Sequence, residues 1–162
     1  MRSINRQFVS AAVCLGLSAM FAAPVLAQKD SQVGVWKLNV AKSKYSPGPA
    51  PTTATSTIEA AGAGTKVSVD QTLPDGSKRQ YSFTSNYDGK DVPVTGTNPD
   101  ADTVARTRVN ATTVKTVAKK GGKMTTTQMS TVSADGKTRT VTTTGTGGNG
   151  HPVTNVAVYD RQ

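Results

Sequence analysis

Cysteine, histidine and glutamate are all scarce in this 162-residue chain, and each shortage closes a route. The one cysteine, Cys14, falls inside an apolar run near the start. The remainder therefore has no disulfide, no thiol chemistry and no cysteine metal site, and its stability must come from a packed core. The one histidine, His151, lies between Gly150 and Pro152 in a glycine-rich stretch. One imidazole cannot by itself build a multi-histidine metal centre or a proton relay. Glu59 is the single glutamate, so paired carboxylates would have to come from aspartates, most of them in turns. No Gly-x-Ser-x-Gly, no Ser-x-x-Lys with its partners and no phosphate-cradling glycine loop occurs. Asn98-Pro99-Asp100-Ala101-Asp102 opens like a calcium loop, but Thr103 stands where the sharp bend needs glycine and no glutamate closes it. A turn built on Asx side chains accounts for it better. We therefore expect no enzyme, no cofactor and no metal.

The start of the chain has the three-part layout of a secretory signal. Met1 to Arg6 is short and basic, Phe8 to Leu26 is apolar, and Val25-Leu26-Ala27 offers small residues for a signal peptidase. Ser10, Ser18 and Pro24 weaken the run as a membrane span, which needs about 20 apolar residues. Cleavage after Ala27 would leave residues 28–162 as a single domain beginning at Gln28, with no transmembrane anchor, in the periplasm or outside the cell. That part carries 17 basic and 10 acidic residues, a net charge of +7.

What is abundant is threonine and valine, whose stiff branched side chains suit pleated surfaces better than helices. Turn signals at Gly62-Ala63-Gly64, Pro74-Asp75-Gly76, Asp88-Gly89, Asn110-Ala111, Gly121-Gly122 and Asp135-Gly136 divide the chain into about ten strands. Tight turns join antiparallel neighbours, and an open meander of this length would leave two bare edges. An all-β, antiparallel up-and-down barrel of about 8–10 strands removes them, with a β-sandwich as the alternative.

Gly34-Val35-Trp36 on the first strand resembles the Gly-x-Trp of lipocalins and fatty-acid-binding proteins, the calycin barrels. The close of the chain, Val156 to Arg161, is similar to their last strand with a basic residue beyond it. The stretch Trp36 to Lys44, with Tyr87-Asp88-Gly89-Lys90 and the ending, also resembles a group of uncharacterised exported bacterial proteins. The resemblance implies a calycin-like barrel in which Arg161 covers Trp36 as a closing pair.

Two functional readings stay open. On 77–87, period-two alternation puts Arg79, Tyr81, Phe83, Ser85 and Tyr87 on one face. Tyr81, Phe83 and Tyr87 then either fill a core or form the wall of a cavity for a small apolar or amphipathic ligand. The second reading is recognition of acidic lipid or another polyanion by a basic face. A two-residue turn at Asn110-Ala111 would place Arg106, Arg108 and Lys115 together on the outside, with Arg106 opposite Lys115. Specific nucleic-acid binding is not expected, since no aromatic platform interleaves with the basic residues.

Overall fold

A computed structural model describes residues 30–162. The expected signal peptide over 1–27, its cleavage site and Cys14 lie outside the described residues. Among the described residues no helix is long and apolar enough to cross a membrane.

Twelve strands follow one another along the chain: β1 (Gly34–Leu38), β2 (Lys44–Ser46), β3 (Thr53–Ala61), β4 (Gly64–Thr72), β5 (Lys78–Ser85), β6 (Asp88–Pro93), β7 (Thr95–Gly96), β8 (Thr103–Arg108), β9 (Thr113–Lys120), β10 (Lys123–Val132), β11 (Thr138–Thr146) and β12 (Pro152–Arg161). A single antiparallel sheet in the order β6-β8-β9-β10-β11-β12-β1-β3-β4-β5-β7 wraps into a nearly closed up-and-down barrel. It does not divide into the two sheets of a sandwich. The strands expected from the turn signals are all present. The count exceeds the expected 8–10 because two short strands, β2 and β7, carry no turn signal of their own.

The first and last strands pair, with Trp36 opposite Arg161 and Leu38 opposite Tyr159. A 3-10 turn at Val40–Lys42, capped by the Asn39 side chain, interrupts the first strand. The chain then rejoins β12 as β2, with Lys44 opposite Val156. The wall is therefore continuous between the first and last strands, and its seam lies between β5 and β8. There one continuous segment crosses over: β6 pairs with β8, and β7 then pairs with β5 through Gly96 opposite Tyr81. Phe83 supplies the apolar stitch over this seam. It packs against the larger cluster around Trp36, Ile58 and Tyr159 and against the smaller one of Ala101, Val104 and Ala118.

The two ends of the barrel differ. The segment Asp30 to Val33 lies across one end and seals it. Gln32 is fully buried, and its side chain donates to Thr112 O and Ser130 O and accepts from Ser130 Oγ. At the other end sit the loops around Pro47–Pro51, Pro74, Asn98 and Gly147–Asn149, which rim an opening into the interior.

Candidate functional site

Alternation along every strand sends half the side chains inward, and here that half does not fill the barrel. A cavity of about 540 Å³ runs from the rim toward the sealed end. Its size suits a small organic ligand. Tyr45, Tyr81, Phe83 and Tyr159 give it aromatic walls, and Val69, Leu73 and Val141 add aliphatic ones. Gln71, Gln128 and Asn155 bring amide groups. Small residues leave the room. Ser56, Thr116, Ala118, Thr126 and Ala157 stand at inward positions where bulkier side chains would fill the space.

The stripe on β5 divides. Arg79, Tyr81 and Phe83 face the cavity, whereas Gln80, Thr84 and Asn86 on the opposite face are exposed. Tyr81 and Phe83 therefore stand in the wall. Tyr87 does not. It lies past the end of β5 with a left-handed backbone (φ 59°), and its ring turns into the sealed end. There Arg108 stacks on it at 4.1 Å and Arg106 at 4.8 Å from the ring centroid. Burial pushes the hydroxyls of Tyr45 and Tyr81 well above the usual tyrosine value, so both stay neutral donors.

The basic triplet does not share a face. Thr107 faces Lys115, Arg106 faces Thr116 and Arg108 faces Val114, one residue away from the register of a two-residue turn. The Asn110 side chain sets this offset. Its oxygen accepts from the backbone N–H groups of Thr112 and Thr113, lengthening the turn. A one-residue shift moves every side chain to the other face. Arg106 is only 4% exposed and Arg108 reaches the sealed end, leaving Lys115 alone outside.

At the sealed end Arg106 donates to Thr65 Oγ1. The Tyr87 hydroxyl donates to Asp30, so Thr65 must donate to Tyr87. Asp30 also accepts from Arg108. Arg161 donates to the carbonyls of Ser31, Val33 and Gly136, and its guanidinium lies 4.1 Å from the Trp36 ring centroid. The Trp36 indole N–H donates to Gln32 O. The two residues thus meet in the geometry that the resemblance implied.

No family model, curated protein or solved structure matches this chain. The site must therefore be read from its own geometry.

Sequence reasoning missed Arg139. It is 6% exposed, lines the cavity, and lies against the Trp36 and Tyr159 rings at 5.4 and 4.9 Å. Its neighbours on β11 offer no signal, because Thr138, Thr140 and Thr142 alternate with Val141 and Thr143 without a polar face. At the rim, Asp100 ties three segments together. It pairs with Arg79, accepts from the Gly148 N–H, and its own N–H donates to the Asn98 side chain in an Asx turn. His151 is exposed. Among the described residues no group of three or more histidine, cysteine, aspartate or glutamate side chains could hold a metal.

Proposed function

We propose that this protein is a non-catalytic, lipocalin-like binding protein of the periplasm or the extracellular space, which holds a small amphipathic molecule inside its barrel. The observation that carries this reading is the 540 Å³ interior space, walled by aromatic rings together with amides and hydroxyls. A wall of that mixed kind offers apolar contact along a ligand's length and a few fixed hydrogen bonds to orient it. The aromatic walls also bring large contact areas at small cost in side-chain freedom. The alternative, a basic outer face for polyanions, loses its proposed site, since Arg106 and Arg108 point inward and Lys115 outward.

Native mass spectrometry of protein purified from its own host is expected to show a co-purifying small molecule. In parallel, the neutral fluorophore phenylnaphthylamine is expected to bind with one-to-one stoichiometry. Tyr81→Ala, which enlarges the wall while leaving the seam residue Phe83 in place, should weaken that binding at least about fivefold, a loss of roughly 1 kcal/mol of contact. Absence of both a co-purified molecule and probe binding in folded wild-type protein would remove the reading.

A further inference from the structure

Arg139 is a guanidinium with five N–H donors, held inside the barrel and facing the cavity. No hydroxyl, carbonyl or carboxylate among the described residues accepts from it, and its buried Nε is without a partner. The acids that could neutralise it are engaged elsewhere. Asp100 pairs with Arg79 at the rim, and Asp30 is held by Arg108 and Tyr87 behind the sealed end. Asp75, the other acid on the cavity lining, belongs to an exposed turn and accepts from Ser77. The nearest compensation is aromatic, from Trp36 and Tyr159, which stabilises the flat faces of the guanidinium and leaves its edge donors free. A second buried cation, Arg106, adds repulsion. Its Nε also lacks a partner, and its positive charge reinforces burial in pulling the Arg139 pKa down to about 10. A buried cation without an anion is costly, and folds keep one where something else completes it.

We infer that the ligand carries an anionic head group, which enters the cavity head first and is held at its deep end by Arg139. The inference rests on the ligand-binding reading and deepens it. A carboxylate or sulfonate suits the fork of an arginine, accepting two parallel N–H bonds in one plane. The apolar tail then runs past Tyr81 and Phe83 toward the rim. Tyr159, kept neutral by burial beside Arg139, presents a hydroxyl in the same region of the lining.

Two probes that differ only in the charged group test this: phenylnaphthylamine, which is neutral, and anilinonaphthalene sulfonate, the same skeleton with a sulfonate. Wild-type protein is expected to bind the sulfonate at least about tenfold more tightly. Arg139→Met, of similar length and without charge, should bring the two affinities within about twofold, and Arg139→Lys should keep part of the preference. Excess inorganic sulfate at matched ionic strength should leave the sulfonate probe bound. Equal affinities in wild type would overturn the inference while leaving the cavity reading intact, and so would an undiminished preference in folded Arg139→Met. Displacement by inorganic sulfate would replace the amphipath by a simple anion. If neither probe binds wild type, the cavity reading itself fails. Should Arg139→Met not fold, the wild-type comparison and Arg139→Lys still decide.

Discussion

Tyr87 holds a left-handed backbone that costs a tyrosine about 1–3 kcal/mol, and its surroundings explain how the strain is sustained. The ring is stacked by two guanidiniums, and the hydroxyl links Thr65 to Asp30. Asp30 is the acidic end of this chain of contacts. Burial alone would raise its carboxyl, but the Gln32 N–H, the Tyr87 hydroxyl and Arg108 outweigh burial and hold it below the usual value. A carboxylate whose pKa is lower in the folded than in the unfolded state contributes fully above the unfolded value, near pH 4. That contribution is lost as pH falls through the folded value. Asp30→Asn is therefore expected to cost about 2 kcal/mol at neutral pH, typical of hydrogen bonds to a charged group. The gap between variant and wild type should narrow as pH falls below the unfolded value, near 4, and through the lower folded value, where Asp30 takes up its proton. Urea denaturation at several pH values measures this. A gap that stays constant across the acid limb would show that the charge of Asp30 contributes nothing.

At the scale of strands, the seam depends on a glycine. Gly96 has φ 102°, and a Cβ there would lie 2.2 Å from the Gln80 carbonyl oxygen, so β7 reaches β5 only because position 96 has no side chain. Gly96→Ala is expected to detach β7 and speed hydrogen exchange of the Thr97 amide, which donates to Gln80 O, at least about tenfold. Amides along the β1–β12 pair should keep their protection. Unchanged exchange at Thr97 would mean that the crossing segment is not what holds the seam. This glycine also marks the limit of what the sequence discloses. Strands between Asp-Gly and Gly-Gly turns were legible because each turn and its flanking alternation are local. The stripe through Tyr81 and Phe83 was legible for the same reason. The exchange of partners between β6 and β7 was not, because it depends on where the two edges of a curled sheet meet. The register at Asn110 was misread because the dipeptide Asn110-Ala111 looks like a complete turn. The decision lies in whether the asparagine side chain takes the Thr112 and Thr113 amides. That single residue of slip carried Arg106 and Arg108 from an expected outer face to the interior, and Arg139 stayed hidden in a run of threonines.

For the whole molecule, the sealed end and the open end are built from different parts of the chain. The seal brings Asp30 to Val33, just before the first strand, against Arg161 at the end of the last, while the rim is made by loops between strands. The barrel wall is thus uninterrupted between its first and last strands. This arrangement predicts that the described domain, residues 30–162, tolerates a covalent link between Asp30 and the last strand. In a circular permutant of residues 30–162, Gln162 would be joined to Asp30 by a short Gly/Ser linker and new ends opened between Gly121 and Gly122. It would keep every strand pair, since that exposed turn joins β9 to β10 outside their ladder and its one tie elsewhere, Gly121 N–H to the Asp102 side chain, can persist. It is expected to unfold cooperatively within about 5 °C of the native chain, a change of roughly 1 kcal/mol for a domain of this size. A second permutant with the same linker, opened between Val94 and Thr95, severs the segment that crosses the seam. It should keep its β-sheet circular dichroism but lose exchange protection at Val94 and Thr97, whose amides donate to Asp102 O and Gln80 O. Comparable protection of those two amides in both permutants would show that the barrel closes by curvature alone. A failure of the first permutant to fold would show instead that the seal cannot form when Asp30 is tied to Gln162.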